Sequence, residues 1–184
     1  MSQFARVAYT VPTIADAKEL AENMRAADRA EIAASHGLKP LNLVAAAVDA
    51  SALVMAARID GNLIGIWGVV DLGGGAGTPW LLTTRFVDRY PILFWKLSRL
   101  EICRLFERWH TLVNFIDVRH NQAIRWAERL GLPLEPPAPF GICGKLFRRF
   151  VYCKGIVNVC TSSHRDRSHR SLCGATGQSA TWRG

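Results

Sequence analysis

The clearest pattern of hydrophobic and polar positions lies between residues 111 and 132. A mainly apolar run at residues 112–118 predicts a buried strand, and a short polar corner follows it. Apolar residues then recur at three- and four-residue spacing from Ala123 onward, which predicts a helix with one apolar face. Gly131 and Pro133 are typical of a helix C-terminus. This segment is therefore predicted to be a strand–turn–helix unit.

The rest of the chain alternates between strand and helix patterns. Two runs with apolar residues on both faces, 52–59 and 63–72, are joined at residues 60–62 by Asp-Gly-Asn, which is typical of a β-hairpin. Such strands are expected in a central sheet that helices cover on both sides. The other predicted elements are strands at 7–11, 80–84 and 147–152, and helices after Thr13, at 28–35, at 41–50 and from Pro91. The predicted fold class is α/β.

A glycine-rich run at residues 73–77 lies between two predicted strands. A loop that cradles phosphate needs backbone amides that open directly into a helix. Here Thr78, Pro79 and a short apolar run follow instead. We therefore interpret the glycines as a connection between strands.

Charged residues cluster around the second predicted helix at Arg25, Asp28, Arg29 and Glu31. Their spacing is typical of a solvated helix face, on which each ion pair stabilises the helix by a few tenths of a kcal/mol. The alternative is a charged rim that faces a substrate, and the sequence leaves it open.

The distribution of charge separates a body from a tail. The 184 residues carry a formal charge of +8, and residues 151–184 contain five basic residues against one acidic residue, which is half of that excess. We predict one domain at 1–153 and a disordered tail at 154–184, which lacks hydrophobic periodicity and is rich in Ser, Thr, Arg and Gly. The body is only mildly basic and the end of the tail has one aromatic residue, Trp182, so a nucleic-acid partner is not expected.

Two further classes of protein are not expected from the sequence. The tail residues Cys160, His164, His169 and Cys173 have a spacing that matches no common zinc finger, so we predict no metal site. No apolar run reaches the roughly 18 residues of a membrane span. The N-terminal segment lacks the apolar block of a signal peptide. We therefore expect a cytoplasmic protein without a membrane span.

The strand–turn–helix unit resembles the last motif of the GNAT acetyltransferase superfamily. The residues that carry this likeness are Asn121, Ala123, Ile124 and the Leu-Gly-Leu ending at 130–132. The predicted order of elements over residues 6–152 is also that of the GNAT fold. The resemblance thus implies a GNAT-like mixed central sheet, in which the strands at 80–84 and 111–118 separate and admit acetyl-CoA.

Four longer segments, at 24–37, 77–84, 94–99 and 112–132, resemble a family of small proteins of short-tailed podophages. This likeness implies an internal virion or virion-morphogenesis protein, found in the host cytoplasm and packaged in the virion. Its partners would be phage virion or assembly proteins. The long helix from Pro91 carries two apolar stripes that do not superpose, so it either bends or contacts protein on two sides.

The resemblance also suggests a cofactor site. It implies acetyl-CoA contacts at Thr84, Arg85 and Asn121, with capping of the following helix as the preferred interpretation of Asn121. Residues 83–89 contain no glycine, although the superfamily places a glycine-containing loop against the cofactor's pyrophosphate here.

Catalytic residues stay unassigned. Ala127 occupies the position at which GNAT enzymes often use a tyrosine as general acid, and the neighbouring Trp126 cannot protonate a thiolate. Asp71, Asp88 and His120 are candidate bases, although a lone histidine at a strand end is more typical of a cap or a surface residue. Two hypotheses remain: a phage protein with weak or no acetyltransferase activity, or an active acetyl-CoA-dependent N-acyltransferase with an atypical cofactor site.

Overall fold

A seven-stranded sheet organises residues 5–155, the part of the chain that this computed structural model describes. In chain order the elements are β1 (Val7–Thr10), α1 (Ile14–Asn23), α2 (Ala26–Ser35), α3 (Pro40–Ala50), β2 (Leu53–Ile59), β3 (Asn62–Gly73), β4 (Ala76–Thr83), a 3-10 helix (Arg85–Arg89), α4 (Pro91–Arg108), β5 (Thr111–Asp117), α5 (Asn121–Arg129), β6 (Ala138–Phe140) and β7 (Lys145–Cys153). The strand order across the sheet is β1-β2-β3-β4-β5-β7-β6. Neighbouring strands are antiparallel except for β4 and β5, which are parallel.

Helices cover both faces of this sheet because side chains alternate between the two faces along each strand. On one face, helices α1 to α3 contribute Leu20, Ile32 and Val44 to a core cluster with β2 and β3. On the other face, α4 and α5 contribute Leu105 and Ala127 to a cluster with β3, β5 and β7. The predicted mixed sheet between two helical layers is confirmed.

Several element ends follow directly from local sequence. The turn between β2 and β3 places Asp60 and Gly61 at φ values of 50° and 82°, in the left-handed region that tight hairpins use. Gly131 follows α5 with a φ of 74°, as expected for a left-handed C-cap. Thr13 and Asp16 form a capping box at the start of α1, the helix predicted to follow Thr13, and the Asp16 N–H donates to Thr13 Oγ1 at 3.2 Å.

Two strands differ from the sequence prediction. β4 begins at Ala76 rather than at residue 80, because the end of the glycine-rich run is already extended and paired with β3. Pro79 is tolerated within β4 because it lies beyond the residues that pair with β5, so its missing N–H costs no ladder bond on that side. The short strand β6 lies at the end of a proline-rich segment and is not among the strands predicted from the sequence.

The parallel pair β4 and β5 is joined over a short distance. Residues 76 and 77 pair with 111 and 112, and within the described residues the ladder does not continue beyond them. One side chain crosses between the strands further along, where Asn114 Nδ2 donates to the Pro79 carbonyl at 2.6 Å. Beyond this bridge the ladder stays open, as the resemblance implies.

Residues 156–184 lie outside the described part, and with them lie the candidate zinc spacing and almost all of the predicted disordered tail. The domain boundary at 153 stays a prediction. Within residues 5–155, none of the helices combines the length and the apolar character that crossing a membrane requires. The same residues contain no group of three or more His, Cys, Asp or Glu side chains that could hold a metal ion.

Candidate functional site

A cavity of about 560 Å³ lies at the opening between β4 and β5. Its lining includes Arg25, Asp28 and Glu31 from the α1–α2 region, and Trp95 and Trp126 from α4 and α5. Because these helices lie on opposite faces of the sheet, the cavity reaches both faces through the opening. Its volume is in the range of small-molecule and cofactor sites.

A buried histidine–aspartate pair lies at the open end of the two strands. His120 Nε2 is 2.8 Å from Asp28 Oδ1, and His120 Nδ1 accepts the backbone N–H of Ala123 at 3.3 Å. Asp28 Oδ2 accepts the Thr83 hydroxyl at 3.0 Å. Because Nδ1 is an acceptor, the proton of the neutral ring lies on Nε2 and is donated to Asp28.

The same contacts shift the titration of His120. Burial by itself lowers the pKa of the ring, but the hydrogen bond and the negative charge of Asp28 outweigh it, together with the charge of Glu31, so the pKa lies above its ordinary value. A second proton on Nδ1 would displace the N–H that this atom accepts. The charge of His120 and the capping of α5 are therefore coupled.

Glu31 is the second acidic group at this end of the cavity, one helical turn after Asp28. Burial raises the pKa of Glu31 to about 7, and the negative charge of Asp28 acts in the same direction. The charge of His120 and a hydrogen bond from the Asp117 backbone act in the opposite direction but are weaker than burial. A carboxyl group with a pKa near 7 can accept a proton at neutral pH, as a general base does.

The charged face of α2 is not the solvated surface that the spacing suggested. Asp28 is only 8% exposed. Arg25 donates its backbone N–H to the Thr83 carbonyl at 3.3 Å and forms an ion pair with Asp88 at 3.7 Å. The guanidinium of Arg29 donates to backbone carbonyls near the end of α1. The solvated-face prediction is wrong because this side of α2 meets the open end of β4. A charged rim that faces a substrate stays a hypothesis.

Sequence reasoning assigned Asp28 and Glu31 no catalytic role beyond the open alternative of a charged rim, although a signal was present. Arg25, Asp28 and Glu31 recur at three-residue spacing, which places them along one side of a helix. The sequence could not show which element that side meets, because Thr83 lies 55 residues away from Asp28 along the chain.

Thr84 was predicted to contact the cofactor. Its side chain is fully buried, and its hydroxyl donates to the Leu63 carbonyl at 2.6 Å and accepts the Phe86 N–H at 3.3 Å. These bonds fix the start of the 3-10 helix. Cofactor binding by Thr84 stays a prediction, and its burial speaks against it.

Arg85, a second predicted contact, is exposed on the 3-10 helix that stands where the superfamily has its glycine-containing loop. The guanidinium carbons of Arg85 and Arg89 lie 5.7 and 5.2 Å from the centre of the Phe86 ring. Both arginines thus lie against one aromatic side chain, just before the N-terminus of α4.

Asn121, the third predicted contact, is the exposed first residue of α5. Its preferred interpretation as the N-cap is wrong, because the N-cap is His120, whose Nδ1 accepts the Ala123 N–H. Among the described residues that line the cavity, none is Thr84, Arg85 or Asn121. The structure therefore does not gather the three predicted contacts in one cavity.

The other residues that the sequence offered for acid–base chemistry lie in a turn, at the rim of the cavity and in the core. Asp71 Oδ1 accepts the Gly73 N–H at 2.8 Å, so this carboxylate shapes the β3–β4 turn. Asp88 lines the cavity, and its side chain is 55% exposed. Ala127 is fully buried in the core, whereas Trp126 both packs against that core and lines the cavity.

Two hydrogen-bond donors belong to side chains that line the cavity. The indole Nε1 atoms of Trp95 and Trp126 are buried, and within the described part of the chain they have no hydrogen-bond partner. The Pro79 carbonyl points toward Asn114 rather than toward β3. Because backbone groups alternate along a strand, the N–H and C=O of Leu81 point to the same open side. Donors in this arrangement suit the carbonyl oxygens of an extended amide chain.

Comparison with solved structures identifies the fold. The structure is similar to spermidine N-acetyltransferase from Vibrio cholerae in complex with CoA and spermine, with a TM-score of 0.60 and 10% identity over 80% of this chain and 95% of that chain. It is similar to the microcin C7 self-immunity acetyltransferase MccE in complex with acetyl-CoA and AMP, with a TM-score of 0.61 and 11% identity over 80% and 92% of the two chains.

A third similar structure is the aminoglycoside acetyltransferase AAC(6')-Ib in complex with coenzyme A, with a TM-score of 0.59 and 16% identity over 81% of this chain and 95% of that chain. No protein-family model matches the chain, and no curated protein matches its sequence. The identities are low, so the likeness concerns architecture. The chain has the fold of the GNAT acetyltransferases.

Proposed function

We propose that the protein is an acyl-CoA-dependent N-acyltransferase with an atypical cofactor site. The observation that carries this proposal is the cavity at the opening between β4 and β5, which leads from α4 and α5 to the carboxyl of Glu31. The pKa of that carboxyl, about 7, suits a general base. In support, the three similar acetyltransferase structures were each solved with CoA or acetyl-CoA.

Residues of this chain also fit the phosphate groups and the pantetheine arm of an acyl-CoA. Arg85 and Arg89 would hold phosphate groups through charge-assisted hydrogen bonds, in place of the backbone amides of a glycine loop. The adjacent α4 begins at Pro91 without a side-chain cap, and the helix dipole there also favours an anion. The indole N–H groups of Trp95 and Trp126 would donate to carbonyl oxygens of the pantetheine arm.

Of the other predicted contacts, Asn121 is retained in this proposal and Thr84 is not. Asn121 is exposed, and its amide carries both donors and an acceptor. The hydroxyl of Thr84 is already bonded to the Leu63 carbonyl. We therefore expect the cofactor to contact Asn121 and to leave Thr84 undisturbed.

The chemistry at the acidic end follows from the residues there. Acetyl-CoA, when bound, supplies a thioester carbon to which an amine nitrogen bonds as the carbon–sulfur bond breaks. Glu31 would take the proton that the amine nitrogen loses, since its pKa near 7 leaves much of it ionised at neutral pH. The leaving thiolate would take its proton from solvent, because Ala127 has no proton to donate.

The pair formed by His120 and Asp28 would position this reaction. Asp28 fixes the ring of His120 and the hydroxyl of Thr83, so it holds the end of β4 against α2. The negative charges of Asp28 and Glu31 favour a cationic amine at this end of the cavity. The acceptor is therefore expected to enter from the side of α2.

Release of free thiol from acetyl-CoA tests the proposal. The full chain would be incubated with acetyl-CoA and a panel of aliphatic and aromatic primary amines, and thiol would be measured with a colorimetric reagent. We expect thiol release that depends on both the protein and the amine. Failure of acetyl-CoA to bind, measured by calorimetry on the same sample, would contradict the proposal.

A second proposal keeps this scaffold as an internal virion or virion-morphogenesis protein of a phage, present in the host cytoplasm and in the virion. Its support is the resemblance of four segments to the podophage proteins, together with two exposed apolar side chains on α4, Ile92 and Leu100, at 71% and 48% exposure. These could contact a phage assembly protein. Mass spectrometry of purified phage particles would test it, and absence of the chain from the particles would contradict it.

A further inference from the structure

The cavity has a compartment under α4 whose floor is a row of four residues from four strands. The sheet register pairs Tyr9 with Ala57, Ala57 with Gly65, and Gly65 with Thr83, and all four residues line the cavity. Directly opposed residues of neighbouring strands share a face of the sheet. The row therefore runs from β4 to β1, across the sheet and beneath α4.

The middle of this floor leaves space beneath α4 because its two residues, Ala57 and Gly65, have the smallest side chains. Ala57 and Gly65 stand where the interior of a strand usually carries a larger β-branched or aromatic side chain. At Gly65 an added Cβ would lie 2.6 Å from the Leu82 carbonyl oxygen, so the backbone geometry requires glycine. The space above these residues is thus built into the packing of β3 against β4.

The roof of the compartment is one face of α4. Trp95, Ser98 and Ile102 line the cavity, and their spacing of three and four residues places them on one side of the helix. The hydroxyl of Ser98 donates to the Phe94 carbonyl at 2.8 Å, so it offers no free donor to a ligand. The middle of the roof is therefore small and apolar in character.

The two ends of the compartment differ in polarity. The end at β4 adjoins Asp28 and Glu31, where the proposed transfer takes place. The end at β1 is lined by Val7, Tyr9 and Glu101, and the carboxylate of Glu101 is neutralised by Arg104 at 2.6 Å. Between these ends the path is lined by the small or apolar residues Ala57, Gly65 and Ile102, so a ligand that follows it is apolar along its middle.

The length of the compartment sets the size of that ligand. Three steps between neighbouring strands, each of about 4.8 Å, give a path of about 14 Å from β4 to β1. Because its bonds zigzag, an extended alkyl chain advances by about 1.3 Å per carbon–carbon bond, so a chain of roughly ten to twelve carbons covers about 11 to 14 Å of this path. An acetyl group would leave most of the compartment unfilled.

We propose that the acyl donor carries a medium-length alkyl chain, which lies beneath α4 along the row from Thr83 to Tyr9. This inference rests on the proposed function, because the acyl group is taken to enter from a thioester at the opening between β4 and β5. Ala57 and Ser98 are then specificity-determining residues, one in the floor and one in the roof. The energetic basis is the removal of the alkyl chain from water.

Calorimetric titration of the full chain with CoA, acetyl-CoA and decanoyl-CoA tests the proposal. We expect decanoyl-CoA to bind at least 100-fold more tightly than acetyl-CoA. In Ala57→Leu, the added side chain occupies the floor, so the preference should fall below tenfold while the affinity for acetyl-CoA changes less than threefold. Ala46→Leu, on the exposed side of α3, is the matched control and should keep the full preference.

Ser98→Leu gives an independent test from the roof, and it decides the matter if Ala57→Leu fails to fold. Equal affinity of the wild-type chain for acetyl-CoA and decanoyl-CoA would overturn this inference and leave the proposed function standing. A preference that both Ala57→Leu and Ser98→Leu retain would also overturn it, because the chain would then bind elsewhere. Failure of CoA and both of its thioesters to bind would overturn the proposed function and this inference together.

Discussion

At the scale of single residues, burial raises the pKa of the Glu31 carboxyl, so this group can exchange a proton near neutral pH, which an exposed glutamate cannot do. On the solvated helix face that the sequence suggested, this group would be fully ionised at neutral pH. Beside Asp28, at the open end of β4, its pKa rises to about 7. The same environment that makes Glu31 a candidate base also makes it costly to ionise, so its role can be tested through activity and through stability.

Glu31→Gln should lower the rate of amine acylation at pH 8 about 100-fold or more, the usual contribution of a general base. The wild-type rate should rise as the pH passes through about 7, where Glu31 loses its proton, and the variant should lack this rise. Glu22→Gln, an exposed change on α1, is the control and should behave as wild type. A Glu31→Gln enzyme with an unchanged pH profile would remove Glu31 from the mechanism.

Stability should depend on pH through the same group. Because the pKa in the folded chain, about 7, is above the ordinary 4.5, the folded state holds this proton more tightly than the unfolded chain. The stabilisation of the folded state by the Glu31 proton is fully present below pH 4.5 and is lost as the pH rises through 7. The free energy of unfolding should thereby decrease by up to about 3 kcal/mol. Urea denaturation at pH 5 and pH 8 should show a smaller decrease in Glu31→Gln; an identical decrease would contradict the assignment.

At the scale of elements, the corner between β5 and α5 carries His120, which both caps α5 and belongs to the candidate site. His120 accepts the Ala123 N–H at the start of α5 and contacts the buried Asp28 of α2. Asparagine is a preferred N-cap residue, and on sequence alone Asn121 was the better candidate. The contact with α2 holds the ring of His120 in the cap position, and the helix begins one residue earlier than that interpretation assumed.

His120→Ala should destabilise the protein by about 2–4 kcal/mol, because it removes a helix cap and leaves Oδ1 of the buried Asp28 carboxylate without its histidine partner. Asn121→Ala should change the free energy of unfolding by less than about 0.5 kcal/mol, as expected at an exposed position. His120→Asn should lie between them, because asparagine can cap the helix. Equal losses for His120→Ala and Asn121→Ala in urea denaturation would show that the cap is misassigned.

The two tryptophans of α4 and α5 allow a test of the cofactor arrangement. Trp95→Phe and Trp126→Phe remove N–H groups that have no partner within residues 5–155, so each should weaken acetyl-CoA binding about tenfold. Trp109→Phe is the matched control, since its indole N–H is also unpartnered there but lies in the core and does not line the cavity. Calorimetry would measure the three affinities, and equal losses at all three positions would argue against a role for these donors.

The sequence predicts many elements because their signals are local. The capping box at Thr13 and Asp16, the turn at residues 60 and 61, and the end of α5 at Gly131 each depend on residues a few positions apart. The start of β4 was missed because it depends on pairing with β3, which overrides the flexible character of a glycine-rich run. Local chemistry thus predicts where an element ends more reliably than where a strand finds its partner.

At the scale of the whole molecule, the site exists only through contacts between distant segments. The floor of the cavity takes one residue each from β1, β2, β3 and β4, and its acidic end takes residues from α2 and from the corner before α5. No local sequence pattern shows which distant residues meet in the site. The resemblance to GNAT proteins therefore predicted the opening between β4 and β5, but it did not predict that Asp28 and Glu31 lie there. The fold positions the opening, and this chain's own side chains determine what can bind there.

Binding of an acyl-CoA to the opening between β4 and β5 is the central claim, and thermal unfolding of the full chain with and without acetyl-CoA tests it most directly. At a ligand concentration of about 100 times the dissociation constant, binding should add about 2.7 kcal/mol to the free energy of unfolding and raise the melting temperature by about 5–10 °C. The shift should shrink in Arg85→Ala, which removes a proposed phosphate contact. No shift in the wild-type chain at millimolar acetyl-CoA would contradict the account.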